Sequence, residues 1–220
     1  MPIKVSDALA EINAEFPGSS QASYSGNTSL YLMLCTGYPG ITTANSNEVS
    51  SQTGYTTRPS ITFTTSGQTA SNVSLAVTLA SGATISWIAL VDSATYGGGN
   101  VHVAIPMVAA SGWNVATVTV ASPGVFTSPG QAPANSTKIR TYAISSVASG
   151  GTNGFNNAYP TQLTQDTVYT TTGLSGDTFN VSVNVTGTSG ALMWAVDNTQ
   201  VVAAGNQLSF GTGSITYASY

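Results

Sequence analysis

The sequence predicts an all-β protein: an antiparallel β-sandwich or barrel with a short N-terminal helix, followed by a second, smaller β-module. Three observations carry this. The 220 residues include 29 Ser, 32 Thr, 23 Gly and 9 Pro, a composition of strands and turns rather than of helices. Apolar residues reach 41% and fall in short alternating runs, the signature of half-buried strands. Only 5% of residues are charged, against roughly 25% in an ordinary domain; disorder is disfavoured because it needs low hydrophobicity with high net charge.

The opening KVSDALAEINAEFPG predicts the single helix, within an N-terminal arm spanning 1–19. Ser6 can cap it, Ala8, Leu9, Ile12 and Phe16 keep helical spacing, and Pro17-Gly18 ends it. An amphipathic helix ahead of a β-domain either caps that domain or docks on a neighbouring subunit. SLYLMLCTGYP, residues 29–39, then alternates Leu30, Leu32 and Leu34 with Tyr31, Met33 and Cys35, so both faces of this strand are apolar. Cover on both sides is expected, with Tyr31 and Met33 turned toward another element or subunit.

RPSITFTT (58–65), NVSLAVTLA (72–80), TISWIALVD (84–92), NVHVAIPMV (100–108) and WNVATVTVAS (113–122) follow, separated by turns such as ASGA and YGGGN. They complete a first domain over 20–127. Pro129 and Pro133 stand in TSPGQAPANST, so 128–137 reads as a linker. KIRTYAISSVA, DTVYTTTG, DTFNVSVNVTG, ALMWAVDN, TQVVAAG and QLSFGTGSITYASY then supply a second β-module over 138–220. No fixed-period repeat is evident.

Composition narrows function. The net charge is −4, and Lys4, Arg58, Lys138 and Arg140 are the four basic residues, so no basic stripe exists to neutralise nucleic acid. No apolar run approaches a membrane helix and no secretory leader opens the chain, so neither a membrane nor nucleic acid is an expected partner. Cys35 cannot form an internal disulfide and reads as a small buried hydrophobe.

Catalytic chemistry finds little support. His102, in VHVAIP, has no second histidine to share a metal, and reads as a surface or interface residue. Glu48, Asp92, Asp166, Asp177 and Asp197 are scattered, whereas glycoside hydrolysis needs two acids facing across a cleft. Next to turns, Asp92, Asp177 and Asp197 suit bonds to nearby backbone amides. YGGGN and GTGS do not lead into a phosphate-binding helix. No enzyme activity, cofactor or metal is therefore expected. Among the aromatics, Trp87 and Trp194 lie inside apolar strands, whereas Trp113 and Tyr96 fall in or beside turns and are the candidates for contact with a glycan.

Three segments carry a resemblance. LYLMLCTGYP matches a strand of the type L-Y-x-x-L-x-T, NEVSSQTGYTTRPSITF carries an E-V-S-x-x-G-Y-x-R pattern, and ISWIALVDSATYGGGNVHVAIP carries a G-L-x-D-A-x-x-G-G-N hairpin. Glu48, Val49, Ser50, Gly54, Tyr55 and Arg58 fill the second, with Thr56 and Thr57 together where one residue is usual. Ala89, Leu90, Asp92, Ala94, Gly98, Gly99 and Asn100 fill the third. Over residues 30 to about 120 the chain is thus similar to a family of small tailed-bacteriophage structural proteins, commonly labelled tail fibre or virion structural proteins. The resemblance implies a place on the virion and no catalytic residues; oligomeric β-domains are a further expectation. The expected role is a capsid decoration, with a tail fibre or collar component that binds a host-surface glycan or receptor as the alternative. Expected partners are other copies of the chain, as a trimer, and virion proteins such as the major capsid protein, with Leu9, Ile12, Phe16, Tyr31 and Met33 forming the assembly interface.

Overall fold

The computed structural model describes residues 30–40, 47–66, 69–109, 111–143, 159–160, 162–187 and 189–218. They are all β, with no helix among them; the expected N-terminal helix, with Leu9, Ile12 and Phe16, lies outside the described residues. In chain order the strands are β1 (Leu30–Cys35), β2 (Ser60–Ile61), β3 (Phe63–Ser66), β4 (Thr69–Asn72), β5 (Leu75–Thr78), β6 (Ala83–Ile85), β7 (Trp87–Val91), β8 (Val101–Pro106) and β9 (Asn114–Thr119). There follow β10 (Val125–Thr127), β11 (Lys138–Ala143), β12 (Val168–Ser175), β13 (Thr178–Val181), β14 (Gly190–Val196), β15 (Gln200–Val202), β16 (Gln207–Phe210) and β17 (Thr216–Ala218).

The chain forms two compact units. One comprises Met1–Met107 with Thr199–Tyr220; the other is Val108–Asn198. In the first, an antiparallel sheet runs β2-β1-β7-β8. Leu32 and Leu34 of β1 and Ile88 and Leu90 of β7 enter a core cluster with Val77, Leu79, Ile85, Leu208, Phe210 and Ile215. Burying side chains of this size contributes roughly 1.5–3 kcal/mol each. Tyr31, Met33 and Cys35 take the opposite face by strand alternation.

The expected boundary between modules is corrected here. Residues 199–218 return to the first unit, β15 pairing with β6, β16 with β5 and β17 with β4. Asn72 fastens this return from a fully buried position. Its Nδ2 donates to the carbonyl of Gly211 at 3.0 Å and its Oδ1 accepts from the N–H of Ile215 at 2.8 Å. The sequence gives no local mark of the pairing because the partners stand more than a hundred residues apart, and a strand chooses its neighbour in space.

The second unit is a closed barrel in the order β10-β13-β12-β11-β14-β9. Strict alternation fills it: Ala116 and Val118 of β9, Phe179 and Val181 of β13, and Leu192 and Trp194 of β14 point inward. Phe126 stacks on Phe179 at 5.1 Å, and Phe179 meets Trp194 edge-on at 5.6 Å. The expected linker at 128–137 is instead a stitched connection between two barrel strands. Its Gly130 N–H donates to Asp177 Oδ1 at 2.9 Å, its Ser136 N–H to the Thr171 carbonyl at 2.8 Å, and Pro133 is buried. Proline supplies no N–H but still packs, so a proline-containing stretch is compatible with an ordered loop.

Candidate functional site

With 12 charged residues in the chain, their placement is informative. Of the eight that are described, three acids gather around two arginines, one in each unit, so five of the eight belong to these two centres.

In the first unit Arg58 and Glu48 form a two-pronged pair, Nε to Oε1 and Nη2 to Oε2, both at 2.8 Å. The Glu48 carboxylate also accepts from the Tyr55 hydroxyl at 2.8 Å and from the Gly97 N–H at 3.2 Å. The remaining Arg58 donor reaches the carbonyls of Ser93 and Gly98, at 3.0 and 2.5 Å. Tyr55 in turn accepts from the Leu34 N–H at 3.0 Å. Bidentate, charge-assisted bonds of this kind fix geometry as well as energy. Burial works against the Arg58 charge, yet the bonds and charge of Glu48 outweigh it and raise its pKa; burial pushes Tyr55 far up, keeping it a neutral donor. With 0% of the Arg58 side chain and 2% of the Glu48 side chain exposed, this centre binds strand β1, the 47–58 segment and the 93–100 hairpin into one piece.

Two glycines show why this geometry needs their residue type. Gly54 has φ +88°, and a Cβ there would stand 2.1 Å from the Thr78 carbonyl oxygen. Gly99 has φ +79°, and a Cβ would meet Asp92 Oδ1 at 2.5 Å. Asp92 uses that closeness to cap the hairpin, accepting from the backbone N–H of Asn100 at 2.7 Å and from its side chain at 2.9 Å. His102 Nε2 lies 3.5 Å from Asp92 Oδ2. Burial lowers the His102 pKa, with Asp92 pulling the other way; for Asp92, burial is outweighed by the Asn100 bonds, which hold it below the usual carboxylate range.

In the second unit Arg140, on β11, bridges two carboxylates: Nε donates to Asp197 Oδ1 and Nη1 to Asp166 Oδ1, each at 2.5 Å. The Tyr142 hydroxyl also donates to Asp166 Oδ1, and burial followed by this bond drives the Tyr142 pKa well up. Asp166 sits at φ +62°, a left-handed conformation that aspartate tolerates, anchored by its N–H on the Thr141 carbonyl at 3.1 Å. The Asp197 side chain is 8% exposed but that of Asp166 is 25% exposed. Beside them Trp113, 41% exposed, meets the Tyr142 ring edge-on at 5.1 Å. The two acids thus share one guanidinium as ion-pair partners.

The sequence-derived candidates land unevenly. Tyr31 is half-buried, whereas Met33 is fully buried and offers no exposed surface. Trp113 and Tyr96 are both exposed, but in different units, Tyr96 lying edge-on to the core residue Tyr55 at 6.5 Å. Cys35 is buried as expected, its thiol pushed up to about 12 by burial and by the charge of Glu48, which makes it unreactive. Asp197 pairs with an arginine 57 residues away. Sequence reasoning missed both arginine centres; the available signal was the scarcity of basic residues, since an arginine that becomes buried requires carboxylate partners.

These features define a β-structural protein, in which most of the described charge is spent on holding strands and hairpins together. The family model described as podophage GP4 fiber I protein gp80 matches residues 10–127, more than half the chain, and the chain belongs to that family. It is a family of phage fibre structural proteins, so the protein is virion-associated. No curated protein and no solved structure matches the chain. The matched stretch includes the whole Glu48–Tyr55–Arg58 centre and ends at Thr127, the last residue of β10.

Proposed function

We propose that the protein is a non-enzymatic fibre component at the phage tail rather than a decoration of the capsid shell. The observation that carries this reading is the family match itself, whose description names a fibre protein of a podophage. Two compact units without a fibrous repeat are compatible with either location; the family description favours the fibre. Self-association fits the surface: with 5% charged residues, copies meet little electrostatic repulsion, and apolar strand faces find cover against one another. Tyr31, together with the segment carrying Leu9, Ile12 and Phe16, is proposed as the contact between copies, with a trimer as the assembly.

Quantitative mass spectrometry of purified virions, against the major capsid protein, tests this. A handful to a few dozen copies per particle is the expected result. Hundreds of copies would make the protein a shell decoration and overturn the proposal.

A further inference from the structure

We propose that the outer face of the barrel around Trp113 is a carbohydrate-binding site that takes a neutral pyranose of a surface glycan. The fibre reading supplies the source of that glycan, and the site chemistry stands apart from it.

The platform follows from register. Val115 of β9 lies opposite Met193 of β14, and Met193 lies opposite Tyr142 of β11. Ala116, Leu192 and Trp194, their neighbours in sequence or register, fill the barrel interior, so Val115, Met193 and Tyr142 form a row on the outside. Trp113, two residues before Val115, stands on the same face. Val115 is 57% exposed and Trp113 41%, a costly arrangement of apolar surface for a barrel whose other outward β9 positions are threonines.

Polar groups are fixed at the edge of this row. Arg140 and the Tyr142 hydroxyl both hold Asp166 Oδ1, and the Asp166 side chain keeps a quarter of its surface exposed. A pyranose presents an apolar C–H face and a rim of hydroxyls. The indole face matches the first, and an immobilised carboxylate accepts hydrogen bonds from the second. An apolar protein anchor would instead desolvate Asp166 without replacing its water. Asp166 and Asp197 against Arg140 leave the centre locally negative, which selects neutral over acidic sugars.

The test is a titration of the protein with millimolar methyl glycosides of glucose, galactose, mannose and N-acetylglucosamine, followed by NMR at the tryptophan indoles. At least one glycoside is expected to shift Trp113, with the buried Trp87 and Trp194 unmoved. Trp113→Ala should abolish that binding, Trp113→Phe should retain a weaker version, and Asp166→Asn should weaken it about tenfold. Silence at Trp113 with every sugar, or binding that survives Trp113→Ala, overturns the proposal. A Trp113 signal that moves only with protein concentration also overturns it, by making the face a contact between copies. Copy number per virion is an independent readout, so failure of the fibre reading and failure of this site are distinguishable.

Discussion

The Arg58 and Arg140 centres use the same device for different ends. Each ties an arginine to carboxylate, one acid ten residues away at Arg58 and two acids 26 and 57 residues away at Arg140, and adds a tyrosine hydroxyl to a carboxylate. At Arg58 the Glu48 side chain is 2% exposed, two hairpin carbonyls complete the coordination, and the whole lies within the family-matched stretch. At Arg140 one carboxylate reaches solvent beside an exposed tryptophan, and Arg140 and its two acids follow the matched stretch while Trp113 lies within it. A sealed ion pair can serve only the fold, whereas an open one also holds polar groups where a ligand can meet them.

Substitutions should separate the two. Arg58→Met strands the Glu48 carboxylate in the interior, and a loss of about 3–5 kcal/mol is expected in denaturant unfolding; a loss under 1 kcal/mol would remove Arg58 from its keystone role. Gly54→Ala forces both a left-handed backbone and a clash with Thr78, with an expected cost of about 1–3 kcal/mol. Arg140→Met should cost less than Arg58→Met, about 1–3 kcal/mol, because water can solvate part of Asp166. Trp113→Ala should cost about 0.5–1.5 kcal/mol, the worth of its edge-on contact with Tyr142.

Stability should also depend on pH through the 92–102 hairpin. Both His102 and Asp92 have lowered folded-state pKa values, so the unfolded chain binds more protons and stability decreases as the pH is lowered. The His102 contribution is present above about pH 6.5 and lost as pH drops through its folded value; that of Asp92 follows below about pH 4. Thermal melts across this range should show the first step in the parent and lack it in His102→Asn.

The strands of both units were legible because alternation is a local property. β9, β13 and β14 place Ala116, Val118, Phe179, Leu192 and Trp194 where the pattern requires. The hairpin and Gly54 motifs were legible too, as the residues that a family resemblance quotes. What escaped depends on distance. Nothing in TQVVAAG announces β6 as its partner, and nothing in KIRTYA announces that Arg140 will find acids 26 and 57 residues away. Met33 was misread as an outward contact because alternation gives a face without saying what already covers it.

The most direct measurement of the division between a locking unit and a recognising unit uses virions that carry Trp113→Ala. Their copy number of this protein should equal the parent's, while adsorption to host cells falls. Loss of the protein from particles, or unchanged adsorption, would contradict the account.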